Sequence, residues 1–106
     1  VSQKKREVKF EPKPFFQENY PKLLKDNPDI KDKFKTFTDA KKEIPPKRLP
    51  NGMKDHVLQG KLDGIRECHL SGNILLLYTH ANDVVSLLAV CSHDELKTVK
   101  KAIRFY

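Results

Sequence analysis

The sequence predicts a single α+β domain over residues 1–106, in which an N-terminal strand and two helices pack on a curved, mainly antiparallel sheet of four to five strands, followed by a C-terminal helix. Three observations predict it. Apolar residues recur at helical spacing through the first half, apolar strand-like runs separated by turn-forming residues fill the second, and a capping-box motif introduces the tail. With 106 residues, 38% of them apolar, the chain has material for one core and not for two.

Each element has its own signal. "EVKFEP" (7–12) reads as a short first strand. Over 14–26, Phe15, Phe16, Tyr20, Leu23 and Leu24 repeat at helical spacing, with Pro21 expected to kink or split the helix. Asn27 is the expected cap of a second helix, with Pro28 in its first position and Ile30, Phe34, Phe37, Ala40 and Ile44 as one apolar stripe, read as core. "IPPKRLPNG" ends that helix, because consecutive prolines cannot continue it and Asn-Gly favours a turn. The period then changes. Strands are predicted at 57–62, 65–70, 74–79 and 84–91, joined by "DG", "SGN" and "HAND" into an antiparallel meander. The last two runs are apolar at nearly every position, as in strands covered on both faces. "SHDE" matches the capping box, so a final helix is expected from His93, with Leu96, Val99 and Ile103 as its buried edge.

Lys and Arg number 21 against 14 Asp and Glu, a formal charge of +7. Such a field attracts polyanions or an acidic protein partner, the plainer alternative being that it serves only solubility. No apolar run approaches the ~18 residues that span a bilayer, and the charged N-terminus has no apolar stretch of a signal peptide after it, so a soluble protein is expected. Cys68 and Cys91 lie in apolar runs, which fits a reducing cytoplasm better than secretion and leaves a disulfide between them open. The first residue is Val1 rather than Met, consistent with processing, a chosen boundary or excision from a longer protein.

His56 precedes the first hairpin strand, His69 closes the second, and His93 follows the last. A lone histidine is most often a surface or satisfied core residue; three near one rim of a sheet suggest a site. RNA cleavage by the 2′-hydroxyl needs a base, an acid and cations for the phosphoryl charge, and histidine near its ordinary pKa serves either proton transfer. Arg66, Lys54 and Lys61 stand beside the histidines as phosphate ligands. Such a site needs no metal. Alternation places Glu67 and His69 on one face and Arg66 and Cys68 on the other, so Arg66 or His69 requires a bulge, twist or strand end to reach a shared site. Zinc is the competing reading of "CH" and "CSH", but the spacing is not that of a paired Cys-x-x-Cys framework. His80, in "THAND", is expected in an exposed turn; Asp55 either orients His56 or caps the turn. With no Gly-rich phosphate loop or nucleophile elbow, no small-molecule cofactor is expected.

The stretch "MKDHVLQGKLDGIRECHLSGNILLLY", followed by "SHDEL", resembles the YafQ branch of the RelE/ParE superfamily of type II toxins. The likeness covers 53–96 without a gap and keeps both histidine spacings. It implies a RelE-like fold and a bacterial endoribonuclease that cuts mRNA in the ribosomal A site until a cognate antitoxin inhibits it. It also implies that His56, His69 and His93 are catalytic, with His93 the foremost acid or base, and that Arg66 is the family's retained arginine. Three positions depart from the pattern: Asn73 stands at a catalytic Asp, Ala89 at a phosphate-binding Arg, and Lys97 at a terminal aromatic. Lys97 or Arg104 would then supply the missing cation, with Asn73 left to contact RNA, and Phe105 or Tyr106 would supply the aromatic. Two other readings remain open from the sequence: a nuclease of the same fold acting on free RNA such as tRNA, and a non-catalytic ParE-like inhibitor of a protein.

Overall fold

The two longest apolar runs form the centre of a five-stranded sheet. A computed structural model of the chain describes residues 6–58 and 64–103, the side chain of Ala102 excepted. Its elements are β1 (Lys9–Pro12), α1 (Pro14–Asp26), α2 (Ile30–Lys41), β2 (His56–Val57), β3 (Arg66–His69), β4 (Ile74–Ala81), β5 (Val84–Ser92) and α3 (Leu96–Ile103), with 3-10 turns at Asn51–Met53 and His93–Glu95. The sheet order is β1-β5-β4-β3-β2. The meander from β2 to β5 is antiparallel, and β1 joins its far edge parallel to β5, pairing Lys9 with Val84 through Pro12 with Leu87.

Alternation along β4 divides the core in two. Ile74, Leu76 and Tyr78 face α1 and α2, with Phe16, Ile30, Phe37 and Ala40; Leu75 and Leu77 face α3, with Val99 and Ile103. Leu77 pairs with Ala89 but Tyr78 with Leu87, so β5 carries one extra residue, Leu88, opposite the Leu77/Tyr78 step. This bulge resets the phase of β5, letting Val85, Leu87 and Val90 serve one core while Leu88, Ala89 and Cys91 serve the other.

Several expectations are corrected. Pro21 lies inside α1 without dividing it, because Phe16, Tyr20, Leu23 and Leu24 on both sides of it anchor the helix to one core. Asn27 does not cap α2. Its backbone N–H and side-chain amide both donate to the Leu23 carbonyl, at 2.8 and 3.1 Å, and so close α1. Bonds from Ile30 N–H to Asn27 and from Lys31 N–H to Pro28 then make a turn that delays α2, which has Asp29 as its N-cap. The helix stops at Lys41, before Ile44, and Lys41 is buried with its ammonium 5.3 Å from the centre of the Tyr78 ring. His80 is a half-buried residue of β4, not of a turn; the turn is Asn82–Asp83, with φ of 52° and 62° as the tight hairpin requires. Of the strand predicted at 57–62, the described part is β2, extended by a bond from Leu58 N–H to Ile65; residues 59–63 lie outside the described residues.

Phe37 is fully buried, edge-on to Tyr78 at 4.7 Å and stacked with Phe34 at 6.1 Å. Phe37→Ala is expected to lower stability by ~3–5 kcal/mol, read as a lower urea midpoint at unchanged m-value.

Candidate functional site

Where β3 ends and β5 turns into the tail, two histidine rings meet edge to face, 5.2 Å apart between centres at an angle of 64°. His69 is the last residue of β3, so it stands at the rim of the sheet and needs no bulge to reach His93. His93 opens the final 3-10 turn, held from two sides. Its own N–H donates to the Asn73 carbonyl at 3.1 Å, and Glu95 Oε1 accepts from the Ser92 hydroxyl and backbone N–H, at 2.9 and 3.3 Å. The capping box thus forms at the predicted place, in a 3-10 turn that precedes α3.

Both rings line an open cleft of about 400 Å³ together with Lys33 from α2, Lys54, Met53 and the Ser71–Gly72 turn. Burial is the first cause holding the His69 imidazole below its ordinary range. The nearby charges of His93, Lys54 and His56 act the same way, with Glu67 pulling in the opposite direction. His69 is therefore a neutral imidazole near pH 7, able to accept a proton. Two ammonium groups facing two imidazoles suit a phosphoryl group, which needs cations around it and proton carriers at its ends.

His56 lies beside this cleft and not in its wall. It pairs across the sheet with Glu67, its Nε2 is 3.7 Å from Glu67 Oε1, and its Nδ1 is 2.7 Å from the Lys54 carbonyl oxygen. Glu67 is buried while His56 is exposed, so the carboxylate orients the ring from below.

The fold sets Arg66, a predicted phosphate ligand, on the other side of the sheet. Without a bulge in β3 it keeps the face opposite His69 and spends its guanidinium on Asp55, with Nε 3.2 Å from Oδ1 and a terminal nitrogen 3.0 Å from Oδ2. The Tyr78 hydroxyl donates to the same carboxylate, and Lys41 Nζ is 3.7 Å from it. Burial pushes the Asp55 pKa up, but the hydrogen bonds from Arg66 and Tyr78 and the charges of Lys41 and Arg66 outweigh it, and the net shift is downward. The Asp55 carboxylate is thus bonded to Arg66 and Tyr78 behind the sheet and not to the His56 ring.

Among the other predicted residues, Lys54 lines the cleft, whereas Asn73 is exposed and meets His93 only through its carbonyl. Lys97 is exposed on α3 and is not in the cleft wall. Lys61, Arg104, Phe105 and Tyr106 lie outside the described residues. Cys68 and Cys91 are buried in opposite cores, so they do not pair, and burial pushes each thiol up to about 12. Lys33 and Glu67 were not among the predicted site residues. Alternation did place Glu67 beside His69; Lys33 sits in "KDKFK", where nothing separates it from solvated neighbours.

A family model described as a bacterial toxin of type II toxin-antitoxin system, YafQ, matches residues 8–98. Solved structures agree. A metal-bound toxin from Helicobacter pylori is 30% identical, with 84% of this chain and 98% of that chain covered and a TM-score of 0.70. A copper-bound point mutant of a toxin from the same organism is 29% identical over 84% and 98%, at 0.67. The Escherichia coli DinJ-YafQ toxin-antitoxin complex matches in fold at 22% identity, 84% and 96% coverage, and 0.70. Among curated proteins no sequence matches.

The His69 environment makes a prediction that needs no substrate. In an NMR titration His69 is expected to protonate below 6.5, its ordinary value, and His93→Gln should move that midpoint upward by removing one cationic neighbour. A His69 midpoint above 6.5 in the wild type would contradict the described burial and charge environment.

Proposed function

The chain belongs to the YafQ family of bacterial type II toxin-antitoxin toxins, with a RelE-like α+β fold, and on that basis we propose that it is an endoribonuclease that cuts mRNA in the ribosomal A site and so arrests translation. The observation that carries the proposal is the pairing of His69 with His93 in a cleft bearing Lys33 and Lys54. In the proposed reaction neutral His69 takes the 2′-hydroxyl proton, and the 2′-oxygen attacks the adjacent phosphorus. His93, in its protonated form, gives a proton to the departing 5′-oxygen, leaving a 2′,3′-cyclic phosphate and a 5′-hydroxyl. Lys33 and Lys54 stabilise the charge that builds on the phosphoryl oxygens. His56, oriented by Glu67, flanks the attacked nucleotide. No step requires a metal ion, although two toxin structures from Helicobacter pylori are metal-bound.

A protein antitoxin is the proposed partner, as DinJ is for YafQ of Escherichia coli. The formal charge of +7 favours an acidic wrapping segment, and it equally suits rRNA and mRNA. A cytoplasmic site of action follows from that substrate; no helix among the described residues is long and apolar enough to cross a membrane.

The test is cleavage of one mRNA by wild-type, His69→Ala and His93→Ala proteins, with and without programmed ribosomes and, in millimolar Mg²⁺, with 1,10-phenanthroline to strip transition metals, mapping 5′ ends. Ribosome-dependent cuts that survive the chelator and fall by ~10²–10⁴-fold in each variant are the expected result. Cuts of free RNA alone would move the substrate to tRNA or other free RNA. Undiminished toxicity of a folded His56→Ala, His69→Ala, His93→Ala triple variant would replace catalysis with protein inhibition.

Lys33→Ala is expected to lower kcat/KM on the order of tenfold, the loss of one charged contact to phosphate, with its thermal midpoint unchanged because the side chain is exposed.

A further inference from the structure

Residues 54–56 present their side chains in alternate directions. Lys54 lines the histidine cleft, His56 stands beside it against Glu67, and Asp55 between them is inserted into the opposite side of the sheet. There three elements converge on one carboxylate: Arg66 of β3 with two bonds, the Tyr78 hydroxyl of β4, and Lys41 at the end of α2, 3.7 Å away. Tyr78 is fully exposed to no solvent at all, Lys41 is 8% exposed, and Tyr78 packs edge-on to Phe37, so the receptor for Asp55 belongs to the rigid core. The segment it holds is strained. Lys54 takes a left-handed conformation, φ 50° and ψ 47°, which a residue with a side chain keeps only where the surroundings impose it. Its carbonyl in that conformation meets His56 Nδ1 at 2.7 Å.

We propose that Asp55, Arg66 and Tyr78 are positioning residues: a polar clamp behind the sheet that fixes the left-handed turn at Lys54 and thereby sets Lys54 and His56 for RNA in front of it. Arg66 then serves the site from the far face, by holding Asp55, and not by touching phosphate. The clamp itself is a matter of geometry; its consequence for cleavage rests on the reading of the cleft as an RNA-cleaving site.

Two measurements separate those levels. By NMR, Asp55→Asn and Tyr78→Phe, the second removing one hydroxyl while keeping the ring, should shift the His56 imidazole and Lys54 amide signals and leave the amide of Val99, in the opposite core, in place; unmoved His56 and Lys54 signals in folded Tyr78→Phe protein would overturn the clamp, whether or not RNA is cut. In cleavage assays, Arg66→Ala should lower kcat by on the order of 10²-fold, the scale of a misplaced catalytic geometry, with Arg66→Lys intermediate. In a Lys54→Ala, His56→Ala background Arg66→Ala should change kcat less than about twofold, since what it positions is already gone. An equal loss in both backgrounds would assign Arg66 a direct or merely structural role and overturn the proposal. Absence of cleavage by the wild type would remove the RNA-cleaving reading and leave the NMR result to judge the clamp.

Discussion

Both faces of the inner strands β3, β4 and β5 are covered, by α1 and α2 on one side and α3 on the other, and this constraint gives each of their buried residues a single assignment. In a strand with one solvated face, a polar side chain facing water costs nothing. Here each polar residue of β3 must find a partner in a closed layer or sit at the rim. Cys68 simply fills apolar space in one layer. Arg66 takes Asp55, Glu67 takes His56, and His69 escapes to the rim beside His93. Among the described residues no fully buried polar side-chain atom is left unpaired, which shows how completely the two layers are satisfied. The chemistry of the cleft is the outcome of that sorting: the residues left able to titrate or bind are those at the strand ends.

Much of this was legible in the sequence because local and long-range signals agreed. The element order, the capping box at Ser92 to Glu95, and the opposite faces of Glu67–His69 and Arg66–Cys68 all follow from spacing alone. One failure comes from a residue able to satisfy either of two neighbours. Asn27 can cap the helix behind it or the one ahead, and the free Leu23 carbonyl wins. His80 sits in a turn-rich string, but the two positive φ angles begin two residues later, at Asn82 and Asp83, so β4 extends through it to Ala81. The bulge at Leu88 and the parallel placement of β1 depend on pairing between distant segments, and no local window carries that information.

Lys33 illustrates the limit for site residues. It was one of several lysines on an amphipathic helix, with a spacing typical of a solvated face. Only the packing of Phe34 and Phe37 against the sheet rotates that helix so that Lys33 overlooks the cleft while Lys35 pairs with Asp39 in solvent. The chain fixes the helix phase through its aromatics, and the position of the cation follows.

The same packing accounts for a departure from the family pattern that the sequence left unexplained. Ala89, at the position where the resemblance places an arginine, is wholly buried under α3 in a cluster with Val99 and Ile103. The stretch matched by the family model ends at residue 98, whereas α3 continues to Ile103, so Val99 and Ile103, which pack with Ala89, lie beyond the matched stretch. A guanidinium at 89 would have to displace that helix or bury an unpaired charge, at a cost of several kcal/mol. A small residue there and a final helix with an apolar face are therefore one structural choice. In the proposed mechanism its consequence is that phosphate cannot be met from β5, and the cations come from across the cleft, Lys33 on α2 and Lys54 on the turn held by Asp55.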